Sequence, residues 1–221
     1  MFQFQNIWLP DGEQHFPQWM EKNGELIDGF GTYQIRKWRA CLPWIKRWRL
    51  AVDVGAHVGL WTMQLAKHFK MVHAFEPMEQ FRECWKRNVT ADGVMIHPIA
   101  LGARDGFVSM RYDPADSGGT HVKSAEFAGD AAGAVAMMRL DDLDLSEIDF
   151  VKIDCEGYEH LVTDGARESL LRWKPCVIVE QKAHKLGPNF GIQGQPAVAM
   201  LRGMGAALRQ EIGGDYILSW D

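Results

Sequence analysis

The sequence predicts an α/β fold: a mostly parallel sheet with helices on both faces. Three observations carry this. Short apolar runs alternate with stretches of helical spacing along most of the chain. The first of these runs ends in an acid and a glycine just before a helical pattern. Finally, 221 residues, 47% hydrophobic and 24% charged, suffice to bury one core without disulfides or metals. No repeat of 20 to 50 residues is visible, which excludes solenoids and propellers.

The elements follow in order. Residues 1–49 hold Trp8, Trp19, Trp38, Trp44 and Trp48, five of the nine tryptophans, and are expected to form a helical appendage or lid. The main domain is expected to span residues 50–221. Leu50 to Ala56, LAVDVGA, reads as strand and tight turn, with a helix following Gly59. Met71 to Phe75 is a second strand, Met78 to Val89 a helix, and Val94 to Leu101 a third strand. Gly106 to Ser124 and Val135 to Leu140 alternate short strand-like pieces with the turn-rich DPADSGG, which suits an inserted β-hairpin. Phe150 to Asp154 is the next strand, and Tyr158 to Trp173 a helix interrupted near Gly165. The β-branched Cys176 to Glu180 suits burial on both faces. A helix near Pro196 to Met204 and an antiparallel pair, Ala207 to Ile212 with Tyr216 to Trp220, close the chain.

In open α/β sheets ligands bind beyond the carboxyl ends of the strands. After the first strand stands Asp53-Val-Gly55-Ala56-His57-Val-Gly59, where Gly55 permits a sharp turn and the following helix offers unpaired N–H groups. The second strand ends in Glu76-Pro77, twenty-one residues after Gly55, where an acid can accept hydrogen bonds from both hydroxyls of a ribose. A dinucleotide calls for G-x-G-x-x-G, and this loop lacks the middle glycine. Asp53 repels phosphate and suits an ammonium group, a combination found in S-adenosylmethionine. At the fourth strand Asp154 and Glu156 flank Cys155 and point to one side. They can orient the cofactor's amino acid part, serve as general base, or bind a divalent cation together with Glu180. Alternatively some of these acids cap the helix that begins at Tyr158, as Glu159 would.

Taken together, VDVGAHVGLWT, HAFEP, IALGARDG and DFVKIDCEGYEHLVTDGA resemble the FkbM-type methyltransferases, a branch of the class I, Rossmann-like, S-adenosylmethionine-dependent fold. The resemblance covers roughly Ala51 to Glu180, and its last stretch is the specific one. It implies that Asp53, Gly55, Ala56, Gly59, Thr62 and Glu76 hold the cofactor, with His57 and Pro77 in the same motifs. It further implies that Ile99 and Ala100 sit near adenine and Asp154 and Glu156 near the methyl group, with Asp154, Glu156 and Glu180 as catalytic candidates and Lys152 or Lys182 in support. It assigns no residue as a metal ligand. Family members mostly methylate hydroxyls, so a sugar-like or other small acceptor is the implied default. Two departures stand out. His57 occupies a position where many relatives have asparagine, and Gln181-Lys182 follow Glu180 where they have a histidine two positions on, a role His184 would have to fill.

Tyr33 to Leu50 carries Arg36, Lys37, Arg39, Lys46, Arg47 and Arg49 and no acid. Taking these six positive charges from the net −5 leaves −11 for the remainder. The segment reads as tryptophans covering the sheet, as a membrane-surface segment, or as a groove for a nucleotide or nucleic-acid acceptor. A catalytically silent module that binds a protein partner is the remaining alternative. No apolar run reaches the roughly 18 residues of a membrane span, and no secretory signal is visible, which predicts a cytoplasmic setting. Cys41, Cys84, Cys155 and Cys176 form no C-x-x-C pattern and are expected to be buried free thiols. Thiol titration of the denatured, unreduced protein should therefore count four; a lower count would contradict it.

Overall fold

The computed structural model describes residues 1–124, 134–182, 191 and 193–221. Its strands are β1 (Phe2–Phe4), β2 (Ile7–Leu9), β3 (Leu26–Ile27), β4 (Phe30–Gly31), β5 (Leu50–Val54), β6 (Met71–Phe75), β7 (Val94–His97), β8 (Ala100–Leu101), β9 (Gly106–Arg111), β10 (His121–Ser124), β11 (Ala134–Met138), β12 (Ile148–Ile153), β13 (Cys176–Glu180), β14 (Ala207–Ile212) and β15 (Asp215–Ser219). The helices are α1 (His15–Asn23), α2 (Ile35–Cys41), α3 (Leu60–Leu65), α4 (Glu79–Asn88), α5 (Glu159–Asp164), α6 (Arg167–Trp173) and α7 (Pro196–Gly203).

Seven strands form the central sheet in the order β14-β15-β13-β12-β5-β6-β7. The five strands from β13 to β7 run parallel, and the closing pair is antiparallel, as the sequence predicts. Every residue of β5, β12 and β13 is buried, because the middle of the sheet is covered on both faces. Strand order reverses between β5 and β12. The gap that opens at the carboxyl ends of such neighbours is where this architecture places its ligands.

Helix positions follow from side-chain spacing. Helix α4 buries Phe81, Cys84, Trp85 and Asn88, one face of a helix, and carries Glu79 in its first turn and Lys86 and Arg87 in its last, matching the helix dipole. The break between α5 and α6 has a steric cause. A Cβ on Gly165 would lie 1.9 Å from the carbonyl oxygen of Gly102. Helix α6 then restarts with the Asp141 carboxylate accepting N–H groups of Glu168 (3.0 Å) and Ser169 (2.8 Å).

Three expectations need revision. The segment Val94 to Leu101 is not one strand: Pro98 supplies no N–H, β7 stops at His97, and β8 joins a different sheet. The expected hairpin is a four-stranded sheet in the order β10-β9-β11-β8. The appendage is not purely helical, because β1 pairs with β2 and β3 with β4 in addition to α1 and α2. Their turns use Asn6 and Asp28-Gly29, residues that tolerate positive φ.

The tryptophans of this segment largely cover the sheet. Trp38, 3% exposed, packs edge-on to Phe150 of β12 (ring centroids 5.6 Å apart) and to Trp61 (6.3 Å). Asn88 of α4 accepts from the Trp8 N–H at 2.7 Å and donates to the Trp8 and Val58 carbonyls. No helix among the described residues is long and apolar enough to cross a membrane. Phe150 is fully buried between Trp38, Trp61 and Phe69, so Phe150→Ala should lower unfolding free energy by about 3–5 kcal/mol in urea denaturation, with the slope unchanged.

Candidate active site

A cleft of about 920 Å³, counting its open mouth, lies at the carboxyl ends of β5, β6 and β12. Its floor is the turn after β5. Gly55 has φ +74°, and a Cβ there would meet the Asp154 carbonyl oxygen at 2.0 Å, so glycine is what allows β5 and β12 to end side by side. Gly59, at φ +94°, lies so close to Trp85 and Val89 that a Cβ would touch both below 3 Å, which lets α3 begin against α4.

Glu76 ends β6. Pro77 has no N–H, so the Glu76 carboxylate accepts instead from the N–H of Met78 (2.8 Å) and from that of His57 (2.9 Å). Burial pushes its pKa up to about 7, against the lowering effect of those two amides. Gly55, Ala56, His57, Glu76, Pro77, Ile99, Ala100, Asp154 and Glu156 all line the cleft, as their motifs suggested.

Asp53, Gly59, Thr62 and Glu180 do not line it. Asp53 was expected to meet an ammonium group, but its side chain is fully buried behind the turn. It accepts from the Thr62 hydroxyl at 2.6 Å and pairs with Lys152 at 3.3 Å. Thr62 in turn accepts from the Trp85 indole (3.1 Å), so both residues brace the turn from beneath. Lys152 also donates to the carbonyls of Val54 (3.2 Å) and Gly55 (2.6 Å) and lines the cleft. Burial opposes its charge, yet Asp53 and Asp154 outweigh burial and hold its pKa above the ordinary value.

Asp154, Glu156 and Glu180 offer carboxylate oxygens within 4.8 Å of one another, the hard oxygen donors that suit a divalent cation as well as a proton or an ammonium group. Glu180 is 3% exposed and paired with Lys182. The neighbouring Glu159 is structural: it accepts from the N–H groups of Cys155 and Gly157, both at 2.9 Å, and burial raises its pKa to about 7. His184 lies outside the described residues.

Several lining residues had no site assignment in the sequence. Phe16 and Tyr33 come from the first fifty residues, Met110, Ser117, Thr120 and Val122 from the insert, and Tyr158 from the start of α5. The DSGGT turn was the legible hint for the insert; Phe16, spaced four from Met20, looks like ordinary core. The basic run does not reach the cleft. Arg49 precedes β5 at the opposite, amino end and is held by Asp149 (2.9 and 2.7 Å) and Glu147 (2.5 Å). Arg39 pairs with Glu25 and Lys37 with Asp215, while Lys46 donates to the Trp220 carbonyl.

Residues 53–192, more than half of the chain, match the family described as the methyltransferase FkbM domain; the chain belongs to that family. Among solved structures it resembles methyltransferase FkbM from Methylobacillus flagellatus KT, at 16% identity and TM-score 0.53, covering 79% of this chain but only 44% of that one. It also resembles precorrin-6y C5,15-methyltransferase from Geobacter metallireducens GS-15, at 12% identity and TM-score 0.49, covering 97% and 98%. At such identities the first likeness is one of fold. The curated proteins contain no match to this chain.

The raised pKa of Glu76 has a thermodynamic sign. The folded state holds this proton more tightly than the unfolded chain, so the associated stability is present below about pH 4.5 and lost as pH rises through about 7. Urea titrations at pH 5 and pH 8 should show Glu76→Gln losing less stability than wild type over that interval. The difference is expected to be on the order of 2–3 kcal/mol.

Proposed function

We propose that this protein is an S-adenosylmethionine-dependent methyltransferase that O-methylates a sugar-like or other small, in some cases phosphate-bearing, acceptor. The observation that carries this is the meeting of the Gly55 turn, the Glu76 carboxylate and the Asp154 and Glu156 carboxylates in one cleft. The residues fit a nucleoside cofactor. Gly55, Ala56 and His57 line the cleft at the turn after β5, and the Glu76 carboxylate beside them can accept from ribose hydroxyls. When bound, the cofactor supplies an electrophilic methyl group on a sulfonium.

The chain's own residues do the rest. Ile99, Ala100 and Leu101 form an apolar wall beside the adenine position. Asp154 faces the amino acid end, where Asp53 is already committed to Lys152. Glu156, with Asp154, receives the proton of the acceptor hydroxyl, and alignment with exclusion of water supplies most of the rate. Phe16, Tyr33 and the Ser117 turn line the cleft, which supports reading residues 1–49 as a lid on the domain at 50–221. A nucleic-acid acceptor has weaker support, because none of the six basic side chains lines the cleft: Lys37 is held by Asp215, and Lys46 and Arg49 are held at the amino ends of the strands. Four free cysteines suit a reducing, cytoplasmic setting.

Calorimetry should detect binding of S-adenosylmethionine, weakened at least tenfold in Glu76→Ala. No heat, or unchanged affinity in that variant, would overturn the proposal. Glu156→Gln should keep cofactor affinity within a few-fold while reducing methyl transfer to fractionated cell extract by about a hundredfold.

A further inference from the structure

Three groups from three separate segments meet at the wall of the cleft, and the mechanism above uses none of their side chains. Glu13, 3% exposed, precedes α1; Ser117, fully buried, lies in the insert; His57 sits in the turn after β5. One Glu13 oxygen accepts both the N–H of Ser117 (2.8 Å) and the Ser117 hydroxyl, and the other accepts the N–H of Phe16 (2.8 Å). The Ser117 oxygen stands 2.9 Å from His57 Nε2. A hydroxyl has one proton, and here it goes to a carboxylate that can only accept. Ser117 must therefore accept from His57, so Nε2 carries the hydrogen and Nδ1 presents a lone pair.

That Nδ1 is shielded from water and has no hydrogen-bond partner. An acceptor left so costs free energy that a suitable donor recovers. The imidazole is held in place: Phe16 stacks on it at 4.9 Å and Phe81 contacts it at 4.2 Å. Burial, with help from Lys152, lowers its pKa to about 3, so it remains a neutral acceptor. Phe16 and His57 both line the cleft. The backbone N–H of His57 is also the group that holds Glu76 Oε2. Ribose carries two adjacent hydroxyls, and each oxygen of Glu76 already holds one amide hydrogen.

Resting on the cofactor reading above, we propose that His57 Nδ1 accepts a hydrogen bond from a ribose hydroxyl of the nucleoside cofactor, beside Glu76, and that Ser117 and Glu13 are positioning residues that fix its tautomer. Glu13 lies outside the residues matched by the family, so this device belongs to the chain's own N-terminal segment.

Nitrogen-15 imidazole spectra of the full chain test this, with S-adenosylhomocysteine as probe. The free protein should show His57 protonated at Nε2 and bare at Nδ1, and the probe should shift Nδ1 upfield. Ser117→Ala and Glu13→Gln should mix the tautomers. His57→Phe, which keeps the ring contacts, should weaken the probe about five- to tenfold, and that loss should vanish with a 2′- or 3′-deoxyribose analogue. A hydrogen on Nδ1, or an unmoved Nδ1 while calorimetry records probe binding, would overturn the proposal and leave the cofactor reading intact. Absence of any probe binding would overturn both.

Discussion

The buried ammonium of Lys152 is the point on which the site depends. It pairs with Asp53 and donates to the Val54 and Gly55 carbonyls, so one side chain of β12 holds the end of β5 and the turn that follows it. The approach of these two strands leaves no room for a side chain at Gly55. A charge buried this deeply is tolerated only when paired and hydrogen-bonded, and its partners are the Asp53 carboxylate and two carbonyls at the end of β5 and the turn after it. The pairing also changes the work of Asp53: an acid at the end of β5 becomes part of the scaffold, and the acids facing the cleft are Glu76, Asp154 and Glu156.

A second constraint comes from the N-terminal segment. Its Trp38, Trp44 and Trp48 complete the core over β5 and β12, while Phe16 and Tyr33 reach the cleft and Gln34 accepts from the Trp61 indole at 3.0 Å. The segment therefore contributes to stability and to the shape of the site through the same residues. Its basic charge is spent elsewhere. Arg49 is fixed against Asp149 and Glu147, and Arg39 against Glu25, so the local excess of positive charge in the sequence does not become a basic wall around the cleft.

Fold and site were legible to different depths. The alternation of apolar runs and helical spacing places β5, β6, β12 and β13 and the antiparallel end of the chain close to where they lie, because strands buried on both faces leave an unbroken apolar signature. The break at Pro98 was written in the sequence as a missing donor, but which sheet β8 would join was not, since that depends on pairing with Met137 and Met138 far along the chain. For the site, Gly55, Glu76, Asp154 and Glu156 were legible from strand ends and spacing, whereas Ile99 and Ala100 came only through the family resemblance. Phe16 and Tyr33 were not legible, because nothing local distinguishes a lining side chain from a core one.

By itself the sequence determined the α/β class, the strand ends where chemistry sits, and the kinship carried by DVGAHVG, FEP and KIDCEGYE. Those are local facts: a turn needing glycine, an acid after a strand, a run of β-branched residues. The tertiary structure decided which acids face the cleft and which brace it, that Glu159 caps a turn, and that Glu13, Ser117 and His57 share one hydrogen-bonded chain. The reason is physical. Burial and pairing set the charge and direction of a polar group, and both come from segments that can lie more than a hundred residues away in the chain.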